Sequence, residues 1–208
     1  MLANGGLNFS IFFTKNYLGV RMQAFPVRQY GELMEIISLQ RQYLRGKKSR
    51  EEESDQGFLT VEHSLDTLTQ MHEIAPSIIA RNDRHLAGYA LTMPLACREL
   101  IPVLFPMFDI FLGMTYDGRP ILDYNFYVMG QICVAAEFRG KGVFDLLYRK
   151  HYELFQNKFD FIVTEIATRN TRSLKAHQRV GFQLLHTYRD SLDEWAVVIW
   201  DWRKAKDK

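Results

Sequence analysis

A strand that runs directly into a glycine-rich loop and a helix is the feature that most constrains the fold of this chain. Residues Tyr127–Val134 are mostly apolar, which is typical of a strand buried on both faces of a sheet. The sequence Arg-Gly-Lys-Gly follows at Arg139–Gly142, and apolar residues then recur at helical spacing over Gly142–Phe155. Glycines allow a sharp turn, and the N–H groups at a helix start favour a bound anion such as a pyrophosphate.

The loop alone does not identify an activity. It lacks the Gly-Lys-Ser/Thr ending of a P-loop and the GxGxxG spacing of a dinucleotide-binding fold. A plain turn between a strand and a helix explains one glycine-rich loop equally well. A functional interpretation therefore needs a second motif.

The second motif begins at Glu165, continues through Asn170 and closes at the pair Gly181-Phe182. Ser173 and His177 follow Asn170 by three and seven residues. At that spacing the three side chains share one face of a short helix.

At these two motifs the sequence resembles the GNAT acetyltransferase superfamily. Arg139-x-x-Gly142 is similar to the loop with which that family holds the pyrophosphate of acyl-CoA, and the run from Glu165 to Phe182 is similar to its second conserved block. The resemblance is strong over Tyr127–Trp202 and rests only on the order of elements over Gln23–Met93. It implies an acetyl-CoA-dependent N-acetyltransferase acting on an amine of a small molecule or a peptide.

The resemblance implies the GNAT fold, and the hydrophobic periodicity agrees with it. The expected class is α/β (α+β), with a mixed central sheet of about seven strands flanked by helices and a helical insertion between the third and fourth strands. The predicted strands are Gln23–Arg28, Ser77–Ala80, His85–Met93, Tyr127–Val134, Phe159–Ala167, Phe182–Arg189 and Trp195–Trp202. The predicted helices are Tyr30–Leu44, Ser64–Ile74, Gly142–Phe155 and Thr171–Val180.

Two segments differ from the rest of the chain. Residues 1–21 are expected to be an N-terminal extension ahead of one domain over 22–208, and this extension is either disordered or an element packed on that domain. The insertion over residues 94–126 is expected to form a wall of the acceptor site. The alternative is a homodimer interface built on its aromatic side chains, among them Phe108 and Phe111.

The resemblance places acetyl-CoA between the strands that end at Val134 and Ala167. A backbone N–H near Val134 would then stabilise the negative charge that develops on the thioester oxygen. The residues expected to bind the cofactor are Ile132, Cys133, Val134, Arg139, Gly140, Lys141, Gly142, Val143, Phe144, Asn170 and Ser173.

Glu165 is the candidate general base. Its strand neighbours, such as Val163 and Ile166, are apolar, so the carboxylate is expected to be partly desolvated and its pKa raised. The alternative is an ion pair with a cation such as Arg169. Arg169 also belongs, with Arg172, Lys175 and Arg179, to a basic cluster that either binds the 3′-phosphate of CoA or forms a solvated helix face.

His177 and Phe144 depart from the family pattern. His177 stands where the family usually has a tyrosine that protonates the departing thiolate, so it is the candidate general acid, and its titration would give a bell-shaped pH profile with Glu165. The alternative is a histidine that only fills the helix face. Phe144 replaces a small residue of the loop. These departures make a second function conceivable, a degenerate GNAT domain that binds acyl-CoA as a regulatory or interaction module.

The composition limits the remaining partners. Lys and Arg total 26 and Asp and Glu total 24, which lacks the basic excess expected of a nucleic-acid-binding domain. No apolar run approaches the length of a membrane span, so no membrane partner is expected. Cys97 and Cys133 have no metal-ligand spacing; we expect no metal, and free thiols in a reducing cytoplasm.

Overall fold

The computed structural model describes residues 15–17, 20–44 and 58–204. Its strands are β1 (Lys15–Tyr17), β2 (Val20–Pro26), β3 (Ile78–Arg81), β4 (Leu86–Pro94), β5 (Thr115–Tyr116), β6 (Arg119–Pro120), β7 (Phe126–Val134), β8 (Phe161–Ala167), β9 (Gln183–Arg189) and β10 (Glu194–Asp201). Its α-helices are α1 (Tyr30–Gln42), α2 (Leu65–Ile74), α3 (Phe105–Leu112), α4 (Val143–Phe155) and α5 (Thr171–Val180).

One mixed sheet has the order β1-β2-β3-β4-β7-β8-β10-β9, and β5 and β6 form a separate hairpin. The seven predicted strands are present, so the expected fold class is confirmed; β1 is an additional strand of three residues at the edge. Because Lys15–Tyr17 pairs with Val20–Met22, the predicted boundary after residue 21 falls inside β2. Residues 1–14 lie outside the described part of the chain.

Helices cover both faces of this sheet. A Cβ at Gly88 of β4 would lie 3.4 Å from Leu147 of α4. The hydroxyl of the next residue, Tyr89, donates to the Gln131 side chain, which Gln40 of α1 also contacts. Since successive residues of a strand point to opposite faces, α4 and α1 lie on opposite sides of β4. The strand between them is buried at seven of its nine positions, as the near-continuous apolar run requires.

The parallel pair β7 and β8 separates soon after it begins. Pairing covers only Phe126↔Phe161 to Val128↔Val163. Immediately beyond, Gly130 has no partner in β4, because Gln131 pairs with Leu91 and Met129 with Thr92. Such a bulge bends the strand that carries it, which explains why β7 diverges from β8 and leaves a gap between them.

The backbone of β7 presents polar groups to this gap. The N–H of Ala135 donates to the carbonyl of Ala87 at 2.9 Å, and the neighbouring Val134 is opposite Gly88. Hydrogen-bonded and non-hydrogen-bonded pairs alternate along an antiparallel ladder. The N–H and C=O groups of Ile132 and Val134 therefore point away from β4 and into the gap, whereas those of Cys133 point towards β4.

A buried network of amides attaches the segment 58–63 to the sheet. The Gln131 Oε1 accepts hydrogen bonds from Gln40 Nε2 at 2.7 Å and from the Tyr89 hydroxyl at 2.5 Å. Its Nε2 donates to the carbonyl of Val61 at 2.8 Å, and the N–H of His63 donates to Gln40 Oε1 at 2.8 Å. Because the donors and acceptors match, this network fixes the segment without leaving these buried amide groups unpaired.

The insertion between β4 and β7 is helical, as predicted, and also contains the β5–β6 hairpin. Short 3₁₀ turns at Leu95–Leu100 and Pro102–Leu104 precede α3. Phe108 and Phe111 are fully buried in the core, so neither is available to the dimer interface considered above.

We expect Gly88→Ala to lower the free energy of unfolding by about 1–3 kcal/mol and the melting temperature by about 2–12 °C. A Cβ at this position would lie 2.6 Å from the Cys133 carbonyl oxygen, so β4 and β7 would have to move apart. Gly31→Ala is the matched control, because a Cβ added at the exposed Gly31 would have no other heavy atom within 4 Å. Equal melting temperatures for the two variants would contradict the close approach.

Candidate active site

Two adjoining cavities occupy the region where β7 and β8 separate. The larger, of about 530 Å³, extends from β7 to the start of α4 and one face of α5. The smaller, of about 90 Å³, lies between the diverging strands, and both are lined by Phe58, Leu59, Ile132, Asn170 and Ser173. Ten of the predicted cofactor residues line the larger cavity: Ile132, Cys133, Val134, Arg139, Gly140, Gly142, Val143, Phe144, Asn170 and Ser173.

The remaining predicted residues lie elsewhere. Lys141 lines neither cavity, and its ammonium group lies 5.6 Å from the ring centre of Phe138. The two predicted catalytic residues, Glu165 and His177, line the smaller cavity. No residue of the insertion lines either cavity, so the structure gives no support to its expected role as a wall of the acceptor site.

The start of α4 faces the larger cavity without a side-chain cap. Gly140 and Gly142 have φ angles of 72° and 76°, which glycine adopts at little cost, and Gly142 is the N-cap residue. The first intrahelical hydrogen bond joins the N–H of Leu146 to the carbonyl of Gly142 at 3.0 Å. The N–H groups of residues 143–145 therefore have no intrahelical acceptor and are suited to hold an anion.

The basic cluster of α5 divides between two environments. Arg172, Lys175 and Arg179 line the larger cavity, where Arg179 also forms an ion pair with Asp145 at 3.0 Å. Arg169 instead pairs with Asp193 at 2.9 Å and stacks over the ring of Phe58 at 4.1 Å. Part of the cluster thus faces the larger cavity, and part joins the segment 58–63 to the β9–β10 turn.

Glu165 lies in the smaller cavity on β8. Burial raises its pKa to about 7, a hydrogen bond donated by the Tyr188 hydroxyl opposes that rise, and the charge of Asp190 adds to it. A carboxylate with this pKa is half ionised near neutral pH, which suits a general base. The neighbouring Arg169 is directed to Asp193, and Tyr188, which the sequence did not single out, is the hydrogen-bonding partner of Glu165.

His177 is buried and hydrogen-bonded at both ring nitrogens. Nδ1 lies 2.8 Å from the Ser173 carbonyl oxygen and Nε2 lies 2.7 Å from the Tyr148 hydroxyl. Because a carbonyl only accepts, Nδ1 carries the proton and Nε2 accepts from Tyr148. Burial lowers the pKa of His177 to about 4, so the ring is neutral at neutral pH and does not titrate near 6.5.

A model of the Acetyltransferase (GNAT) family matches residues 33–182, which include both motifs and every residue that lines the two cavities except Trp195. The chain belongs to the GNAT acetyltransferase family. No curated protein matches it in sequence.

Solved structures agree with the GNAT fold at low sequence identity. The ribosomal-protein-S18-alanine N-acetyltransferase of Escherichia coli has a TM-score of 0.57 and 10% identity, over 86% of this chain and 93% of its own. A chimera of the Vibrio cholerae spermidine N-acetyltransferase and hSSAT has a TM-score of 0.56 and 13% identity, over 90% and 99%. The Salmonella typhimurium protein yncA, solved with its cofactor acetyl-CoA, has a TM-score of 0.55 and 13% identity, over 87% and 94%.

Two further properties concern only the described part of the chain. None of its helices is both long enough and apolar enough to cross a membrane. Within the same residues, no three His, Cys, Asp or Glu side chains are grouped so that they could hold a metal ion.

The two departures from the GNAT motif contact each other. The half-buried ring of Phe144 packs edge-on against His177, with ring centres 5.0 Å apart, and lies 5.1 Å from the ring of Tyr148. Phe182 contacts His177 from another side at 5.0 Å. Phe144 thus completes an aromatic cluster around the histidine while its edge still lines the larger cavity.

We expect the stability of the protein to fall as the pH drops from about 6.5 to about 4, with a smaller slope in His177→Gln. The unfolded histidine takes up a proton in this range that the native one does not, which contributes about 1.4 kcal/mol per pH unit. Urea unfolding between pH 4.5 and pH 7 measures the slope. His85→Gln, at an exposed position, is the control, and equal slopes for the two variants would show that His177 titrates normally.

Proposed function

We propose that this GNAT protein transfers the acetyl group of acetyl-CoA to the amine of a small molecule or peptide, with Glu165 as the general base. The observation that carries the proposal is the continuity of the two cavities. They connect an uncapped helix start, suited to a pyrophosphate, with a carboxylate whose pKa burial has raised to about 7. The E. coli, Vibrio cholerae and Salmonella neighbours support the reaction class only through the fold.

Three sets of protein groups along the two cavities would bind acetyl-CoA. The N–H groups of residues 143–145 would receive the pyrophosphate, with Arg139 beside them. Arg172 and Lys175 would meet the 3′-phosphate at the outer end of the larger cavity. The backbone groups of Val134 and the C=O of Ile132, which face the gap, would pair with the pantetheine amides as a neighbouring strand does.

The protein groups then act on an amine held in the smaller cavity. Acetyl-CoA supplies an activated thioester. Glu165 takes the proton that the amine must lose, directly or through one water, so that the nitrogen can bond to the thioester carbon. We assign stabilisation of the oxygen to the N–H of Ile132, because this residue lines both cavities, whereas Val134 lines only the larger one.

The last proton is proposed to come from water. When the carbon–sulfur bond breaks, the electron pair leaves with the sulfur of CoA as a thiolate. The only proton of the neutral His177 is bonded to Ser173, so the histidine is better described as a residue that positions α5. Aqueous thiols have pKa values near 8.5, so solvent can protonate this leaving group. We place the reaction in the cytoplasm, where Cys97 and Cys133 remain free thiols.

Exchanging Gly142 tests the pyrophosphate site. The side chains that Gly142→Asp and Gly142→Asn introduce have nearly the same shape. Both residue types adopt a positive φ, as found at position 142, more readily than most residues do. Only the aspartate adds a negative charge beside the proposed pyrophosphate. We expect calorimetry to give acetyl-CoA a dissociation constant at least about tenfold higher for Gly142→Asp than for Gly142→Asn. Equal dissociation constants for the two variants would show that this loop does not bind the pyrophosphate.

A pH profile tests Glu165. The acceptor is chosen from a panel of polyamines and peptides as the one that gives the fastest release of CoA thiol. With this acceptor we expect kcat/KM to rise with pH through about 7, because the base must be ionised. Glu165→Gln should lower kcat by about 10²–10⁴-fold. Tyr188→Phe removes a hydrogen bond that lowers the pKa of Glu165, so the rise should move to higher pH.

The control for that profile is Tyr30→Phe, since Tyr30 is 60% exposed on α1. If kcat/KM of Tyr188→Phe rises at the same pH as that of the wild type, the hydrogen bond between Tyr188 and Glu165 is contradicted. Tight binding of acetyl-CoA without thiol release for any amine would instead favour the acyl-CoA-binding module without turnover.

A further inference from the structure

Arg139 is held inside the larger cavity by two contacts. Its Nε donates a hydrogen bond to the carbonyl oxygen of Val134 at 3.1 Å. Its guanidinium lies over the ring of Tyr43, with the central carbon 4.7 Å from the ring centre. Both residues line the larger cavity, so the side chain crosses the space between the end of α1 and the end of β7.

Tyr43 is a rigid platform for this side chain. It follows α1, is 8% exposed, and its hydroxyl accepts a hydrogen bond from the N–H of Ala136 at 2.7 Å. Its carbonyl accepts a hydrogen bond from the N–H of Leu59 at 2.9 Å. The ring is thus fixed at both ends, and stacking on it limits the positions that Arg139 can adopt.

The carbonyl that Arg139 contacts is one that the pantetheine needs. The C=O of Val134 faces the gap, and a chain that pairs with the edge of β7 must place an N–H there at about 2.9 Å. The Arg139 Nε already lies at 3.1 Å from this oxygen. Because this C=O points into the gap, the guanidinium bonded to it also lies in the gap, in the space that a pantetheine arm paired with the strand would need.

A pyrophosphate gives Arg139 a stronger partner. The guanidinium is close enough to Arg172 for its charge to lower the pKa of that residue, after the larger effect of burial. Both guanidinium groups face the larger cavity beside the N–H groups of residues 143–145, and an anion between them would relieve their repulsion. A pyrophosphate carries the charge opposite to the guanidinium and can accept two parallel N–H···O bonds from it, which a single carbonyl oxygen does not offer.

On the basis of the proposed function, we infer that Arg139 is a specificity-determining residue that selects CoA thioesters against pantetheine thioesters without a pyrophosphate. The pyrophosphate draws Arg139 away from Val134, and this opens the edge of β7 to the pantetheine. A pantetheine arm that lacks the pyrophosphate, free or attached to a carrier protein, has to displace the guanidinium without compensation. Tyr43 is the positioning residue that keeps Arg139 next to both partners.

The test compares two ligands on the full chain. Calorimetry gives dissociation constants for CoA and for pantetheine with the wild type, with Arg139→Met and with Arg84→Met, a control at an exposed position in the β3–β4 turn. We expect Arg139→Met to raise the dissociation constant of CoA by about tenfold or more. The same variant should lower the dissociation constant of pantetheine by about twofold to tenfold, because one competing hydrogen bond is lost. Arg84→Met should change neither constant.

The remaining outcomes are decisive as well. If Arg139→Met lowers the affinity for both ligands, or leaves the affinity for pantetheine unchanged, Arg139 does not block the strand and the inference is wrong. An unchanged melting temperature shows that the variant is folded. A variant that does not fold is replaced by Tyr43→Leu, which loosens Arg139 and should shift the CoA-to-pantetheine ratio in the same direction. A wild-type protein that binds neither ligand would refute the proposed function, and the inference with it.

Discussion

The bulge at Gly130 and the end of the β7–β8 pairing two residues before it are the constraint on which the rest of the site depends. A strand inside a domain must satisfy its N–H and C=O groups, and β7 does so on one side with β4. On the other side, beyond Val128, its edge no longer pairs with β8, and two of its carbonyls accept side-chain hydrogen bonds instead, Met129 from Thr164 and Val134 from Arg139. The cavities, the exposed start of α4 and the position of Glu165 all follow from this separation.

The sequence predicted most of the fold because its signals are local. Apolar runs and helical stripes located the seven main strands and four helices, and the glycines at 140 and 142 located the turn that begins α4. Gly130, a glycine inside an apolar strand, is the signal that could have predicted the bulge. Tyr43 and Tyr188 had no such signal, since one meets the loop only after α1 packs and the other reaches Glu165 only through the strand order β8-β10-β9.

His177 shows why residue identity alone does not predict chemistry. Its reference pKa near 6.5 made it a plausible acid, but a pKa is a property of the environment as much as of the ring. Phe144, Tyr148 and Phe182 enclose the imidazole, and its proton is bonded to the Ser173 carbonyl. None of these partners could be assigned before the packing of α4 against α5 was known.

The amide network around Gln131 has a consequence for the working conditions of the site. Gln40 and Gln131 carry no charge, and burial raises the pKa of Tyr89 well above its ordinary value, so these three side chains stay neutral at any pH the protein meets. Salt screens charges but has little effect on hydrogen bonds between buried neutral groups. The segment 58–63 over the smaller cavity should therefore keep its place when Glu165 beneath it changes charge near pH 7, and acid should disturb the segment only near pH 4, where the buried His63 takes up a proton.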